Sequence, residues 1–296
     1  MKIAIYGREF QDSVIGYVQD LFDIMSGEKV EIWVYQDFYE FLVHKIDFKQ
    51  TVHSFHSRLE FPEDIRFMLS LGGDGTMLAA VAIIGDSGIP VTGINLGRLG
   101  FLASINKDKI KEAITELINK NYDIDRRVLL AAHTTNHQFD SDIAPSFALN
   151  DITIVKKDSS AMITVNAYVN DELLNSYWAD GLIIATPTGS TAYSLSCGGP
   201  IVMPGSGNFI ITPISPHNLN VRPVVVNDTS TIKIVIESRS DSYLFSCDSS
   251  TTALTTDTTI HIKKADFTVN LIRLKNESFF STLRSKLLWG LDTRNY

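Results

Sequence analysis

Cysteine is nearly missing from this chain of 296 residues: only Cys197 and Cys247 occur, far apart. That excludes a disulfide framework and a cysteine-rich zinc site, and leaves two buried thiols as the expectation. Long apolar runs are missing too. Nowhere do ~18 uncharged apolar residues stand together, which excludes a membrane-spanning helix. The apolar start Met1-Lys2-Ile3-Ala4-Ile5-Tyr6-Gly7 is too short for a signal peptide, so a cytoplasmic protein without a membrane partner is expected. Nor is there an excess of positive charge: a formal net charge of -8 argues against a surface built to hold nucleic acid. Two glycine signatures are absent as well. Without Gly-x-x-x-x-Gly-Lys-Ser/Thr there is no P-loop lysine, and without Gly-x-Gly-x-x-Gly opening the first helix a hydride-transfer site is disfavoured. No internal repeat or low-complexity stretch occurs, and the Ser/Thr-rich segment from Ser249 to Thr259 reads as an exposed loop.

What is present divides the chain in two. Lys2 to Tyr6, Val30 to Tyr35, Ile65 to Leu71 and Pro90 to Asn95 are compact apolar runs. Between them lie helix-spaced apolar residues, from Val14 to Ile24 and in a short helix at Phe38 to Val43. Lys107 to Asn121 is an amphipathic helix with a solvated charged face. Strand alternating with helix predicts an open, Rossmann-like α/β domain over 1–125. From Arg127 to about Asn270 the chain becomes short Val, Ile, Thr and Tyr-rich runs separated by turn residues, which predicts a mostly antiparallel, sandwich-like β domain over 126–275. Within it, Met162 to Val169 and Leu173 to Trp178 read as a hairpin about Asn170-Asp171. Residues 276–296 form a tail whose helix, Phe279 to Leu288, turns an apolar stripe of Leu283, Leu287, Leu288 and Trp289 back onto the first domain.

Three stretches carry chemistry. Leu71-Gly72-Gly73-Asp74-Gly75-Thr76 ends an apolar strand and opens a helix, delivering one carboxylate to a turn whose N–H groups favour phosphate oxygens. Taken alone it is equally a tight turn with Asp74 capping the helix. In open α/β sheets ligands bind outside the carboxyl ends of strands, where Asp74 stands, and the second glycine loop, Leu96 to Leu102, should face the same crevice. From Asp180 to Pro200 a strand runs into a dense set of hydroxyls and glycines without lysine or arginine, suited to a polyhydroxylated or amide-bearing ligand. Asn150-Asp151 opens a further strand with two side chains able to bind a base edge or ribose hydroxyls. The pairs His53/His56 and His133/His137 lack a third ligand and read as solvated loop histidines, so no protein-held metal is expected.

Together, Gly-Gly-Asp-Gly-Thr at 72–76, Asn150-Asp151, Asp180-Gly181 and the stretch from Thr186-Pro187 through Gly199-Pro200 resemble the NAD kinase family in its short bacterial form. The glycine run alone is shared with diacylglycerol-type lipid kinases and in part with phosphofructokinases, whereas the stretch around Pro187 is highly specific. The similarity runs from the first strand to about residue 275 and includes Thr212 to His217 and Arg222-Pro223. It implies transfer of the γ-phosphoryl of ATP to the adenosine ribose 2′-hydroxyl of NAD, with Mg²⁺ accompanying ATP and a homodimer or homotetramer as the assembly. Residue by residue, it makes Asp74 the base and sets Gly75 against NAD. It assigns Asn150, Asp151, Asp180 and Thr191, Ala192, Tyr193, Ser194, Leu195 and Ser196 to the dinucleotide. Gly72, Gly73, Gly75 and Thr76 turn toward the ATP phosphates, and Phe101 lines the same cleft. Nothing carries over to Cys247-Asp248-Ser249-Ser250, where the family's acid is often followed by glycine. The alternatives are a lipid-kinase-like enzyme for another hydroxylated substrate and a non-catalytic dinucleotide sensor. The hydroxyl-rich loop and the lack of a membrane-binding helix weigh against the first, and Asp74 weighs against the second.

Overall fold

The computed structural model describes residues 1–97, 100–135, 146–157, 161–275 and 277–289. The chain forms two compact units, Met1–Arg126 joined by the segment from Val269, and Arg127–Thr268.

The first unit begins with β1 (Lys2–Gly7), α1 (Ile15–Gly27), β2 (Glu31–Tyr35), α2 (Gln36–Leu42) and β3 (Val52–Phe55). It continues with β4 (Ile65–Leu71), α3 (Asp74–Ile84), β5 (Val91–Asn95), the two-residue β6 (Ile105–Asn106) and α4 (Ile110–Ile118). β1, β4 and β5 are buried on both faces almost throughout, which is why β1 and β4 are apolar runs. The helices bury one stripe each at helical spacing: Val18, Leu21, Phe22 and Met25 on α1, Met77, Ala80, Val81 and Ile84 on α3, and Ile110, Ala113, Ile114 and Leu117 on α4. Each fully buried side chain such as Leu21 stabilises the unit by roughly 1.5–3 kcal/mol. All pairings here are parallel, in the order β3-β2-β1-β4-β5. The chain therefore moves outward from β1 to β3 and returns on the other side of β1 as β4. That reversal makes the carboxyl ends of β1 and β4, at Gly7 and Leu71, the place where an open sheet leaves a crevice.

The second unit is built from β7 (Tyr122–Thr134), β8 (Phe147–Ala148), β9 (Asp151–Lys156), β10 (Ile163–Val169), β11 (Glu172–Ala179) and β12 (Gly181–Ala185). A four-residue helix, α5 (Tyr193–Ser196), precedes β13 (Asn208–Ile214), β14 (Val224–Asn227), β15 (Ile232–Glu237), β16 (Ser242–Cys247), β17 (Ser250–Thr255) and β18 (Ile260–Leu274). One antiparallel sheet runs β14-β13-β12-β9-β16-β17, and β11, β10, β15 and β18 pair in that order in the other. Val165, Ala167, Tyr177, Ile234 and Ile236 of the latter share one core with Ile152, Ile154, Leu182, Ile184, Phe209 and Phe245 of the former, a sandwich. The opposite face of β12 and β13 is also covered: Ile183, Ala185 and Ile210 pack with Cys197 and Val202, so β12 is buried end to end. Asn170 and Asp171, at φ 52° and 65°, give the β10–β11 hairpin its mirror-image turn.

Some expectations are corrected. Ser250–Thr255 is a strand paired with β16 rather than a loop, because alternate side chains of a Ser/Thr run suit an edge strand with one wet face. The unit boundary falls at Val269, inside β18, since that strand continues to Leu271, which pairs with Val91 of β5. The last helix, α6 (Phe279–Leu287), buries only Leu283 of the expected stripe. Leu288, at φ 55°, ends the helix in a left-handed turn and leaves Leu288 and Trp289 exposed. Cys197 is half-buried, whereas Cys247 is buried. His53 lies on β3 stacked on Trp33, with ring centroids 4.7 Å apart, and not in a loop; His137 lies outside the described residues. Among the described residues no helix is long and apolar enough to cross a membrane.

Candidate functional site

In the α/β unit the glycine run takes the position its sequence suggests, but Asp74 does not cap its helix. Gly73 is the N-cap, its carbonyl accepting from the N–H groups of Thr76 and Met77 at 3.0 and 3.1 Å, and Asp74 is the first residue of α3. The Asp74 carboxylate turns instead to the loop after β5. Its Oδ2 accepts from the Phe101 N–H at 2.7 Å, and its Oδ1 from the N–H groups of Leu102 and Ala103 at 3.0 Å each. A carboxylate has about four lone-pair directions, so three donors leave one, on Oδ2, for a further hydroxyl. Gly100 is where this approach requires glycine, because a Cβ there would fall onto Asp74 Oδ1. Arg98 and Leu99 of the same loop lie outside the described residues.

Beside the glycines, at the carboxyl ends of β1, β4 and β5, opens a cleft of about 570 Å³ lined by Arg8, Phe10, Gln11, Gly72, Gly73, Thr76, Gly97 and Lys107 among others. It holds two cations that sequence reasoning did not single out. Arg8 directly follows β1, a position whose strand-end signal was available; Lys107 was read only as part of a solvated helix face. α6 carries another cation that sequence reasoning missed, beside Phe101. The Lys286 ammonium lies 5.9 Å from the Phe101 ring centroid, its pKa lowered by burial and supported by the charge of Asp74.

In the β-rich unit Asn150 and Asp151 sit where β9 begins, both buried. Among the described residues Asn150 Oδ1 has no hydrogen-bond partner, and the Asp151 carboxyl is pushed up to about 7 by burial and by the charge of Asp248. The Cys197 thiol is raised by its own burial first and then by the charge of Asp151. Tyr193 stands exposed on α5 in the field of Asp151 and Asp180, and Asp180 is paired with Lys156 at 2.6 Å. These groups form one polar cluster.

The hydroxyl-rich stretch is used differently from the expectation of ligand-facing donors. Thr186 donates to the Leu149 carbonyl at 2.5 Å, Ser190 to the Pro187 carbonyl at 2.7 Å, and Ser194 shares a hydrogen bond with Thr212 at 2.8 Å. All three are fully buried. Buried as they are, such hydroxyls must find partners inside, and they hold the turn rather than face outward. Thr191, Ala192 and Leu195 are half-exposed, and Tyr193 and Ser196 are exposed. Gly189 lies against the Asn150 carbonyl, where any Cβ would collide, so this turn and the Asn150-Asp151 turn are built onto each other.

Residues 3–122 match the ATP-NAD kinase N-terminal domain and residues 149–274 the ATP-NAD kinase C-terminal domain. The NAD kinase of Flavobacterium johnsoniae is 44% identical over 296 residues, covering 100% of both chains. That of Bacteroides fragilis is 41% identical over 294 residues, covering 99% of this chain and 100% of its own. Among solved structures, yeast NADH kinase complexed with NADH has a TM-score of 0.83 at 24% identity, covering 99% of this chain and 88% of the other, which speaks to fold. An NAD kinase from Archaeoglobus fulgidus in complex with ATP has a TM-score of 0.75 at 25% identity, covering 97% of this chain and 99% of the other. With both domain matches in sequence order and full-length relatives above 40% identity, the chain belongs to the NAD kinase family.

Proposed function

We propose that this chain transfers the γ-phosphoryl group of ATP to the adenosine ribose 2′-hydroxyl of NAD, giving NADP and ADP, with Asp74 as general base. The observation that carries the base assignment is the carboxylate fixed by three backbone donors with one acceptor direction left on Oδ2, at the end of β4. The ribose 2′-O–H donates there. As the oxygen attacks the γ-phosphorus, its proton passes to Asp74 and the bond to the β-phosphate oxygen breaks, so that ADP leaves with the electron pair.

The triphosphate is assigned to the cleft at Gly72, Gly73, Gly75 and Thr76, where Arg8 and Lys107 supply the positive charge that a P-loop lysine supplies elsewhere. NAD is assigned to Asp74, Gly75, Phe101, Asn150, Asp151, Asp180 and Thr191 to Ser196. For Ser194 the contact is through the backbone, since its hydroxyl is bonded to Thr212.

An ATP-dependent kinase works with a divalent cation, and Mg²⁺ bound to the triphosphate is the proposed one. The ion is assigned to the nucleotide, where it would neutralise the charge of the phosphates. A cytoplasmic setting and assembly into a homodimer or homotetramer belong to the same proposal, the latter open to light scattering. Incubation with ATP, Mg²⁺ and NAD, followed by an NADP-specific dehydrogenase assay, is expected to show NADP; a well-folded sample that forms none overturns the proposal.

A further inference from the structure

The turn that presents Asn150 and Asp151 is held by a residue nearly one hundred positions away. Asp248 lies half-buried in the turn between β16 and β17 at φ 50°, a left-handed conformation that aspartate adopts more readily than most residues. Its Oδ2 accepts from the Leu149 N–H at 2.8 Å, and its Oδ1 from the N–H groups of Asn150 and Asp151 at 2.8 and 3.1 Å. Its own N–H donates to the Asp151 carbonyl at 3.0 Å. Three successive N–H groups thus converge on one carboxylate, a concave anion site filled from within the chain. From the opposite side the Thr186 N–H donates to the Asn150 carbonyl at 2.9 Å and the Thr186 hydroxyl to that of Leu149.

The backbone of Leu149–Asp151 is therefore fully engaged by protein, while two side-chain groups are not. Among the described residues Asn150 Oδ1, on a residue only 9% exposed, has no hydrogen-bond partner, and burial and the charge of Asp248, with no hydrogen bond, set the Asp151 carboxyl. Such groups call for a ligand that brings its own hydrogen-bonding atoms. We propose that Asp248 is a positioning residue of the NAD site, fixing the Leu149–Asp151 backbone so that the side chains of Asn150 and Asp151 meet the dinucleotide. This rests on the assignment of Asn150 and Asp151 to NAD made above.

The same carboxylate also acts through its charge. Asp151 is faced by Asp248 and Cys247 from β16 and the turn after it, and by Cys197 and Tyr193 from α5, with Asp180 further along the same cluster. Of these groups Asp248 is the one bonded to the Asp151 backbone, and its three N–H donors oppose the upward push of burial on its own carboxyl. The three N–H donors favour the charged form of Asp248, and that charge, with burial, pushes the Asp151 carboxyl up to about 7.

The test is Asp248→Asn, which keeps the shape but turns an N–H₂ toward backbone N–H groups. KM for NAD is expected to rise about tenfold or more, the effect of losing a charge-assisted contact, with kcat at saturating NAD falling by less. The midpoint of the pH dependence of NAD binding is expected to move to lower pH, a change that mere loosening of the turn would not produce. A folded Asp248→Asn protein with wild-type KM and an unmoved midpoint overturns the proposal. If that variant does not fold, amide hydrogen exchange of the wild-type protein decides: the Leu149, Asn150 and Asp151 amides are expected to be protected like those of β9, and exchange at the rate of exposed turns overturns it. Asn150→Ala and Asp151→Asn separate the two readings. If both leave KM for NAD unchanged, the assignment of this turn to NAD falls; if both raise it and Asp248→Asn does not, the positioning role alone falls.

Discussion

Gly100 lies so close to Asp74 that a single methyl group at Gly100 would occupy the place of the Asp74 Oδ1. The next three N–H groups after Gly100 hold the carboxylate. The glycine and the acid, twenty-six positions apart, form one device: the loop comes near enough to orient the acid only because Gly100 has no side chain.

Gly100→Ala should therefore disable the base without touching it. The expected result is a fall in kcat of about a hundredfold with the fold retained, since a positioned general base contributes ~10²–10⁴-fold. Steady-state kinetics with a thermal melt on the same sample checks this; near-normal kcat would mean that the loop and acid need not be held in this geometry.

Asp74→Asn replaces an acceptor with an N–H₂ group facing backbone donors, and removes the base. We expect NAD affinity to remain measurable by calorimetry while kcat drops at least about a hundredfold. Retention of turnover would remove Asp74 from the proton-transfer role.

Arg8 and Lys107 should act on the phosphate donor alone. Arg8→Ala and Lys107→Ala are each expected to raise KM for ATP by about tenfold, as for loss of a charge-assisted hydrogen bond, and to leave KM for NAD within about twofold. A rise in KM for NAD instead would reassign the cleft.

Asp151 makes stability depend on pH. In the folded protein its carboxyl titrates near about 7, against ~3.9 for an unperturbed aspartate. The folded state thus keeps a proton that the unfolded chain releases. Its contribution to stability is fully present below pH ~4 and is lost as pH rises through ~7. Asp151→Asn cannot lose it, so the stability advantage of wild type over Asp151→Asn should shrink, by up to a few kcal/mol, between about pH 4 and pH 8. Denaturant unfolding of both proteins across this range measures it, and parallel curves would contradict the buried, proton-holding Asp151.

Much of this was legible from periodicity. Runs buried on both faces, such as Lys2 to Tyr6 and Ile65 to Leu71, declare central parallel strands, because nothing else tolerates so many apolar residues in succession. Asn170-Asp171 between alternating runs declares a hairpin. Leu283 and its neighbours were misread as one stripe because the left-handed turn at Leu288 has no counterpart in hydrophobic spacing. Ser250–Thr255 was misread because a Ser/Thr run says equally loop or edge strand until β16 supplies the pairing.

For the site, the sequence by itself determined the glycine run, the strand end that carries Asp74, and the stretches that mark the family. It could not determine what those side chains touch. Whether Asp74 capped its own helix or reached a distant loop, and whether the hydroxyls of Thr186, Ser190 and Ser194 faced outward or inward, depended on contacts made across tens of residues. Asp248 is the extreme case. Nothing next to it in sequence announces three N–H donors from residues almost a hundred positions earlier; only the pairing of β16 with β9 brings them there. Local spacing fixes which face a residue occupies, whereas hydrogen-bond partners are fixed by the order in which strands pair.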